Sequence, residues 1–599
     1  MLSFTVSPKQ RSELLKNRPP YIYSSFMSDR AERVIEIARK RGIFWPSYEI
    51  YGGVAGLYDL GPVGIRIKNN IVALWRKLFV EENQDFVVEI ETPVITPLAV
   101  LQASGHVDNF TDPVVQCLKC RRVYRADHLV EQVTRLNTER MRVNELEEII
   151  SKRGLKCPNC GGELGDVRTF NLLFETNIGP YGDSKGFFRP ETAQGIFTAF
   201  KRVFESFRER LPLGVAQVGR VARNEISPRQ GLIRLREFTI MEVEFFFDPS
   251  SDEGPPMERL GDLKVRILRG EDKLRGGSPM ELKLKEAVDE RIVNNPWMGY
   301  WMGVASKFVE ALGIRGQYTY FEEKLPEERA HYSSQTFDQI VVVDDERIEI
   351  SGHAYRGDYD LSRHIQFSGQ DLTVFRKFDR PREVEKEVLV VDKVKLFSGD
   401  RERAKEFLER IQGMSQAEIS RLLDSDELIS GLKVRDFITK EKRRERVTGE
   451  RIVPHVAEPS FGAERCLYVS LLSSLKEREG RNILSLPYEV SPYKVAVFPL
   501  LEREEIVAKS LRIYEKVRLF YPTIFDSKGS IGKRYARADE IGVPFAVTID
   551  VRTLSDDTVT IRSRDTWEQV RVREESILGS LDRLFKGESL EAVGEKVME

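Results

Sequence analysis

The sequence lacks several features that would place it in a simple class. It has five cysteines in 599 residues, too few for a disulfide scaffold of this size. No apolar run reaches the length that spans a membrane, so we expect no membrane partner. With 93 Lys and Arg against 95 Asp and Glu, the formal net charge is −2, which excludes a globally basic coat for nucleic acid. Any contact with nucleic acid must therefore use local patches.

Repeats and targeting segments are also missing from the sequence. No internal repeat or low-complexity tract is evident. The N-terminus, MLSFTVSPKQRSELLK, lacks a convincing signal-peptide core, which favours a cytoplasmic location. The length leaves room for several domains, each with a sizeable core.

Four of the five cysteines form two CxxC pairs, Cys117 with Cys120 and Cys157 with Cys160. Two such knuckles commonly supply four thiolates to one tetrahedral zinc ion. The sequence therefore predicts a structural Zn²⁺ site; reduced thiols are the alternative, because the pairs are far apart. The segment between them, residues 130–150, carries recurrent apolar positions and is predicted to be helical. Cys466 is interpreted as a core residue of an apolar helix.

Residues 223–247, RNEISPRQGLIRLREFTIMEVEFFF, predict a charged loop followed by a strand. The Val-rich segment before them predicts the other strand of an antiparallel hairpin. Alternation predicts one covered face and one charged face; the covered set is Leu235, Met241, Val243, Phe245 and Phe247, and the charged set is Arg234, Arg236, Glu242 and Glu244. Arg223 and Arg234 could hold phosphate oxygens, while Glu225 and Glu237 could hold a base edge or Mg²⁺. The alternative is a salt-bridged outer face of a sheet.

Residues 452–475, IVPHVAEPSFGAERCLYVSLLSSL, predict a strand, a turn at Glu458-Pro459-Ser460, and a helix that begins near Gly462. Arg465 falls in the first turn of that helix, where an arginine can meet a nucleotide phosphate. The glycine allows close approach of a ligand to the backbone, and the helix N-terminus favours anions.

These two segments resemble motifs 2 and 3 of class II aminoacyl-tRNA synthetases, and the surrounding sequence narrows the resemblance to homodimeric glycyl-tRNA synthetases of the archaeal and eukaryotic-like type. The resemblance covers nearly the whole chain apart from a few insertions. The segments that carry it are GGVAGLYDLGPVGIRIKNN from Gly52, ASGHVDNFTDP from Ala103, YRADH from Tyr124, FNLLFETNIGP from Phe170, RPETAQGIF from Arg189, EISGHAYRGDYDL from Glu349 and SIGKRYARADEIGVPFAVTID from Ser530.

The resemblance implies an α+β fold, in which a class II catalytic domain has an antiparallel sheet flanked by helices. The catalytic domain is expected over residues 1–488, with insertions near residues 117–160, 249–312 and 370–446. A C-terminal α/β anticodon-binding domain is expected over residues 489–599, where strand and helix patterns alternate and predict a mostly parallel sheet. A helix over residues 65–80 and an extended segment over residues 86–97 match motif 1 of the family, which packs across the dimer interface; an internal helix and strand are the alternative.

The resemblance also implies the reaction: glycine and ATP form glycyl-adenylate, with Mg²⁺, and the glycyl group passes to the terminal adenosine of tRNA(Gly). Catalytic roles fall to Arg223, Glu225 and Arg465. ATP binding is implied for Arg223, Asn224, Glu225, Ile233, Arg234, Leu235, Arg236, Glu237, Phe238, Glu349, Ile350, Gly462, Ala463, Glu464 and Arg465. Glycine binding is implied for Arg125, Glu191, Phe238, Thr239, Ile240, Met241, Glu242, Glu458, Pro459 and Ser460.

Two basic groups are candidates for contact with tRNA. The first is Lys440, Lys442, Arg443, Arg444 and Arg446, for which a solvated helix face is the alternative because Glu441 and Glu445 offset the charge. The second is Lys528, Lys533, Arg534, Arg537, Arg562 and Arg564, for which ordinary surface charge is the alternative. His455, which precedes motif 3, is interpreted as a structural residue.

Three positions depart from the family pattern, namely His353, Tyr355 and Glu464. A non-catalytic relative, such as the synthetase-like accessory subunit of a DNA polymerase, would have lost the motif arginines, which are present here. A class II synthetase for another small amino acid or for proline is disfavoured by the RPETAQGIF and EPSFG segments.

Overall fold

The computed structural model describes residues 28–597 except 135–137, 139–140, 181–183, 227, 229–230, 424 and 426. The N-terminal segment used for the signal-peptide prediction lies outside the described residues, as does part of segment 130–150. The chain forms two compact units: one contains the described residues up to Leu372 and those from Pro454 onward, and the other is Thr373–Val453. In the part of the chain that is described, no helix is long and apolar enough to cross a membrane.

The elements before residue 373 build most of the larger unit. Its helices there are α1 Asp29–Arg41, α2 Pro62–Phe79, α3 Leu98–Ala103, α4 His106–Asn109, α5 Ala126–Thr134, α6 Val143–Lys152, α7 Ala193–Ser206, α8 Gly270–Leu274, α9 Leu284–Asp289, α10 Pro296–Ala311 and α11 Tyr359–Ser368. Its strands there are β1 Phe44–Pro46, β2 Tyr58–Leu60, β3 Val87–Glu89, β4 Ile95–Pro97, β5 Thr111–Cys117, β6 Val123–Arg125, β7 Leu164–Asn171, β8 Phe174–Ile178, β9 Ser184–Phe188, β10 Leu213–Ala222, β11 Glu237–Phe247, β12 Lys264–Leu268, β13 Met280–Lys283, β14 Thr319–Glu323, β15 Gln335–Val343 and β16 Glu346–Gly357.

The remaining elements complete both units. The smaller unit contains β17 Val374–Val391, α12 Lys393–Phe397, α13 Arg401–Gln412, α14 Gln416–Leu423, β18 Leu428–Ile429, β19 Leu432–Lys433, α15 Val434–Phe437 and β20 Ile438–Ile452. The larger unit continues with β21 His455–Gly462, α16 Ala463–Ser474, β22 Leu475–Arg478, β23 Arg481–Leu484, β24 Val495–Pro499, α17 Glu504–Val517, β25 Thr523–Phe525, α18 Ile531–Asp539, β26 Phe545–Ile549, α19 Thr553–Asp556, β27 Thr558–Ser563, β28 Gln569–Arg573, α20 Ile577–Phe585, α21 Leu590–Val593 and β29 Glu595–Lys596.

The centre of the larger unit is a nine-stranded sheet of order β13-β12-β14-β15-β16-β21-β11-β10-β3. All its pairings are antiparallel except β12 with β14 and β3 with β10. The predicted hairpin is confirmed: β10 pairs with β11, and Gln217 lies opposite Glu242. The α+β fold with an antiparallel sheet flanked by helices is therefore confirmed.

One face of this sheet carries the main apolar core. Helix α2 begins with Pro62 at its first position and buries Ile67, Ile71 and Trp75 at four-residue spacing. Phe79 of α2 stacks on Trp301 of α10 with ring centroids 5.8 Å apart. Helix α10, from the predicted insertion over residues 249–312, is thus part of this core.

Strand β11 has one apolar face and one face that carries acids, as predicted, and both faces are covered by other parts of the protein. Met241, Val243 and Phe245 belong to the main core. On the opposite face Phe246 packs on Phe200 of α7, with centroids 4.4 Å apart, and Glu242 has no exposed surface. The alternative of a salt-bridged outer face is wrong for this strand.

The C-terminal sheet has the order β25-β24-β26-β27-β28-β29. Strands β25, β24 and β26 are parallel, whereas β26 to β29 pair antiparallel. The expected α/β pattern is present, but the sheet is mixed and not mostly parallel, because two of its pairings are parallel and three are antiparallel.

Candidate active site

A cavity of about 630 Å³ lies over the sheet where β11, β16 and β21 run side by side. The lining includes most of the residues that the sequence assigned to ATP and glycine. They are Glu191, Arg223, Glu225, Ile233, Arg234, Leu235, Phe238, Ile240, Glu242, Glu349, Ile350, Glu458, Ser460, Gly462, Glu464 and Arg465. Residues far apart in sequence meet here because β11 and β21 are hydrogen-bonded neighbours, with Glu242 opposite Ser460.

Arg223 and Arg465 both reach the cavity, and each is held in place by the protein. The Nε of Arg223 donates to the carbonyl oxygen of Pro190 at 3.0 Å, and its guanidinium lies over the rings of Phe110 and Phe238. Arg465 donates through Nη1 to the backbone and carboxylate oxygens of Glu349, both at 2.9 Å. Two oriented guanidinium groups beside an open cavity form a site for a polyanion.

Arg465 is placed by the predicted helix, which is confirmed as α16 with Gly462 at its N-cap. The predicted turn at Glu458-Pro459-Ser460 is wrong. These residues lie inside β21, which pairs with both β11 and β16. The proline is tolerated there since the register with β11 omits Glu458 and Pro459 themselves.

A cluster of buried acids forms the other end of the cavity. Glu242 Oε1 accepts from the backbone nitrogen of Thr192 at 2.8 Å and from its hydroxyl, while Oε2 accepts from Ser460 Oγ at 3.0 Å. Glu191 and Glu458 are 7% and 8% exposed. Three acids with such little exposure call for a cationic partner.

The pKa values of these acids diverge. Burial raises the pKa of Glu458 to about 7, helped by the charges of Glu242 and Glu191 and opposed by Arg356. Burial and the charge of Glu191 likewise raise the pKa of Glu242. Burial also disfavours the charged form of Glu191, but His106 and Arg356 hold its pKa below the usual range. Glu191 is therefore the carboxylate that stays ionised at the lowest pH.

The acids are organised by Arg356, which lies in the EISGHAYRGDYDL segment but is not among the predicted site residues. Its Nη1 donates to Glu458 Oε2 at 2.9 Å, and its Nε and Nη2 donate to both carboxylate oxygens of Asp360 at 2.8 and 2.9 Å. Its guanidinium also lies 3.7 Å from the centroid of the Tyr332 ring. The side chain has no exposed surface. The only sequence signal for this pair is an arginine four residues before an aspartate.

Other residues that line the cavity are also absent from the predicted set. Lys324, in the segment before β15, faces Asp338 on β15, and Nζ lies 2.9 Å from Oδ2. Burial and the charge of Glu349 raise the pKa of Asp338 to about 7. Neither residue has a motif to mark it, because the contact arises from strand pairing.

Besides Arg125, seven of the predicted binding residues do not line the cavity. They are Asn224, Arg236, Glu237, Thr239, Met241, Pro459 and Ala463. Alternation explains two of them, since Thr239 and Met241 point away from the face that carries Glu242. Arg236 donates to the backbone oxygens of Ala55 and Glu225 and so positions the loop before β11.

Arg125 also does not line the cavity. Its Nη1 lies 3.1 Å from Asp112 Oδ2, and its Nη2 lies 2.6 Å from Asp127 Oδ2. Asp112 does line the cavity, so Arg125 is one side chain removed from it in this structure.

The three departures from the family pattern have structural explanations. Glu464 accepts from the Thr239 backbone nitrogen at 2.7 Å and pairs with Lys68 at 3.2 Å and Arg220 at 3.0 Å; it thereby joins α2, the hairpin and α16. His353 is buried, and burial lowers its pKa to about 3. The hydroxyl of Tyr355 is hydrogen-bonded to His455 Nδ1 at 2.6 Å. This contact fits the structural role predicted for His455.

The two CxxC pairs come together although residues between them form helices α5 and α6. The four sulfur atoms all lie within 4.8 Å of one another. Cys117 and Cys160 Sγ are 3.5 Å apart, and Cys120 and Cys157 Sγ are 3.6 Å apart. Such a cluster could hold a metal ion. Cys466 is buried in the main core, as expected.

Both predicted basic groups differ from expectation. Lys440 to Arg446 lie on β20 and not on a helix, and these side chains are exposed. In the C-terminal region Arg534, Arg562 and Arg564 are buried; Arg562, for example, pairs with Asp539 at 3.0 Å. Lys528 and Lys533 remain as the exposed members of that group.

Comparison with known proteins adds to this geometry. Residues 494–584 match the family model described as an anticodon binding domain. A glycine–tRNA ligase of Aeropyrum pernix is 53% identical over 95% of this chain and 99% of its own length. Those of Thermococcus sibiricus and Methanothermobacter thermautotrophicus are each 44% identical, over 94% and 92% of this chain and 100% and 99% of theirs. The chain belongs to the glycine–tRNA ligases, a family of class II aminoacyl-tRNA synthetases.

Proposed function

We propose that this chain activates glycine with ATP and transfers the glycyl group to the 3′-terminal adenosine of tRNA(Gly). The observation that carries the proposal is the buried cluster of Glu191, Glu242 and Glu458 in the same cavity as Arg223 and Arg465. The acids suit an ammonium group, and the arginines suit a nucleotide triphosphate.

The acid end is assigned to the ammonium group of glycine. Glu242 is held by Thr192 and Ser460, and Glu458 by Arg356, so both carboxylates are oriented before the substrate enters. Their mutual repulsion is relieved when one positive charge binds between them, which makes the substrate's amine the favoured ligand. A larger amino acid would have to place its side chain against these packed groups, and a clash discriminates more strongly than a lost methylene contact.

The arginine end is assigned to ATP. The glycine carboxylate attacks the α-phosphorus, a new P–O bond forms, and the bond to pyrophosphate breaks in line. Such a step needs mainly positioning and neutralisation of charge. Arg223 lies between the acid end and the loop before β11 and is assigned to the α-phosphate, while Arg465 is assigned to the γ-phosphate. The carboxylate of Glu349, 46% exposed, fits the oxygen donors that Mg²⁺ requires; the ion would neutralise phosphate charge.

The proposed domain division follows the resemblance, with a catalytic domain over residues 1–488, insertions near 117–160, 249–312 and 370–446, and an anticodon-binding domain over residues 489–599. Exposed Lys440 to Arg446 on β20 and exposed Lys528 and Lys533 are the proposed tRNA contacts. A homodimer remains a prediction, supported by exposed apolar side chains such as Ile50 and Tyr51, at 88% and 85%. The cytoplasmic location also remains a prediction.

We assign the four cysteines to one structural Zn²⁺ ion. Tetrahedral coordination with Zn–S bonds of about 2.3 Å puts sulfurs roughly 3.8 Å apart, close to the 3.5 and 3.6 Å seen for two of the pairs. Four thiolates complete the coordination, so the ion would stabilise the fold of this insertion and take no part in the reaction.

Replacing Cys157 by serine is expected to remove the zinc, because three thiolates hold the ion far more weakly than four. Elemental analysis of the purified protein should find about one zinc per wild-type chain and far less in the variant. Cys466→Ser is the matched control and should keep the metal, since Cys466 lies in the main core. Unchanged zinc content in Cys157→Ser would reject the four-thiolate site.

The proposed activity is tested by ATP–pyrophosphate exchange with a panel of amino acids. Glycine should support exchange, and alanine should be poorer by more than about a hundredfold in kcat/KM, because the extra methyl group meets packed side chains. No exchange with glycine, or equal exchange with alanine, would overturn the proposal.

The activation of glycine should depend on pH through Glu458. Its raised pKa of about 7 means that the carboxyl is protonated and uncharged below that pH, where it attracts an ammonium group weakly. We therefore expect kcat/KM for glycine to rise by up to about tenfold per pH unit below pH 7 and to level off above it. The KM for ATP over the same range serves as the control, and a profile for glycine that is flat from pH 5.5 to 8 would contradict the role given to Glu458.

A further inference from the structure

Glu244 is a buried acid that the proposed reaction does not use. It follows Glu242 by two residues on β11 and therefore points to the same face of the sheet. Its side chain has no exposed surface, it does not line the cavity, and neither carboxylate oxygen has a hydrogen-bond partner. One carboxylate oxygen each from Glu242, Glu244 and Glu458 lies within 4.8 Å of the other two.

The charged groups that face Glu244 offer it no free cation. They are Glu458 on β21, Arg356 on β16, Asp360 on α11 and Glu242 on its own strand. Arg356 is the one positive group among them, and its nitrogens already donate to Asp360 and Glu458. A carboxylate that is buried among acids and left without donors is strongly disfavoured relative to the neutral acid.

A neutral carboxylic acid has one O–H donor. The carboxyl of Glu458, which lies within 4.8 Å, has one oxygen on Arg356 and faces the cavity. Because the two carboxyls lie within 4.8 Å, a side-chain movement of at most about 2 Å would bring the O–H of Glu244 to a hydrogen-bonding distance of about 2.6 Å. A metal ion between the three carboxyls would instead lie beside the guanidinium of Arg356, which disfavours it.

We propose that Glu244 is a positioning residue of the glycine pocket: it stays protonated and donates its O–H to the carboxylate of Glu458, which it holds ionised and oriented toward the ammonium group of glycine. The inference rests on the proposed glycine site. It assigns Glu244 to the substrate's affinity and pH range and not to the chemistry at phosphorus, because Glu244 touches neither the cavity nor the two arginines.

Two substitutions of Glu244 distinguish a role as hydrogen-bond donor from a role in packing alone. Glu244→Gln keeps the shape and an N–H donor, whereas Glu244→Met keeps approximate volume and removes the donor. We expect Glu244→Gln to match the wild type in the midpoint of the acid limb for glycine-dependent exchange. In Glu244→Met the midpoint should move up by about one pH unit, and KM for glycine at pH 7 should rise about tenfold. Both variants should keep kcat at saturating glycine and KM for ATP within about twofold.

Three outcomes would overturn the inference. If both variants keep the wild-type profile, Glu244 has no donor role; if both shift upward alike, only packing matters. If Glu244→Gln moves the midpoint to lower pH, Glu244 is an ionised neighbour that repels charge on Glu458. A wild-type protein that does not activate glycine would instead overturn the proposed function, so the two failures are distinguishable.

Infrared difference spectroscopy gives a second measurement that does not depend on the folding of Glu244→Met. At pH 8.5, above the pKa of Glu458, the wild-type protein should show the C=O stretch of a protonated carboxyl that is absent from Glu244→Gln. Absence of that band from the wild type would overturn the inference.

Discussion

Replacing Glu242 by glutamine is expected to lower kcat/KM for glycine by roughly 30-fold to several thousandfold, because truncating the charge of a buried, hydrogen-bonded ion pair is worth about 2–5 kcal/mol. Glutamine has nearly the same shape, so Thr192 and Ser460 can still contact it. The backbone nitrogen of Thr192 then donates to an uncharged amide oxygen. The attraction for the ammonium group is what is removed. Glycine-dependent ATP–pyrophosphate exchange at pH 8 measures the effect.

The matched control is Glu205→Gln, which removes an acid that is 41% exposed on α7 and should leave exchange unchanged. The KM for ATP should stay close to the wild-type value in both variants, since neither residue reaches the arginines. A loss below about threefold in Glu242→Gln would show that this carboxylate does not bind the substrate's amine.

Replacing Arg223 by alanine is expected to lower the rate of adenylate formation by about a hundred- to a thousandfold, the usual effect of removing one oriented group that stabilises charge in a transition state. Arg223→Lys should be intermediate, because lysine keeps the charge but loses the planar fork of donors. Single-turnover formation of glycyl-adenylate at saturating ATP and glycine measures the step directly.

Two controls bear on this second prediction. Arg202→Ala, at a side chain 90% exposed on α7, should have no effect. Because Arg223 also donates to Pro190, the thermal midpoint of each variant should be compared with that of the wild type. If Arg223→Ala raised KM for ATP and left the single-turnover rate unchanged, the residue would contribute to ground-state binding only.

Local patterns in the sequence predicted the parts of the site that depend on local structure. The hairpin of β10 and β11 follows from a Val-rich strand, a Pro and Gly loop and a second extended segment, all contiguous in the chain. The helix after Gly462 follows from its capping pattern and places Arg465 at its first turn. The two CxxC pairs likewise predicted that the four cysteines lie together, since each zinc knuckle is a short local turn.

Other predictions failed where a residue's environment is set by distant segments. Glu458-Pro459-Ser460 has the composition of a turn, but β11 and β16 on either side extend the strand through it. Lys440 to Arg446 have a charge pattern that suits a helix, yet they pair with residues 383–389 of β17. Arg534, Arg562 and Arg564 are ordinary surface residues by type and are buried here by their partners.

The sequence by itself determined the family, the class of fold and most side chains of the cavity, because these depend on motifs whose residues are contiguous. Only the tertiary structure decided which of those side chains face the cavity, that Arg356 and Asp360 organise the acids, and that Glu244 lies behind Glu242 without a partner. The physical reason is that alternation along a strand names two faces but does not say what covers each one. Burial and the charges brought in by neighbouring strands, which no local pattern contains, set the ionisation of the glutamates.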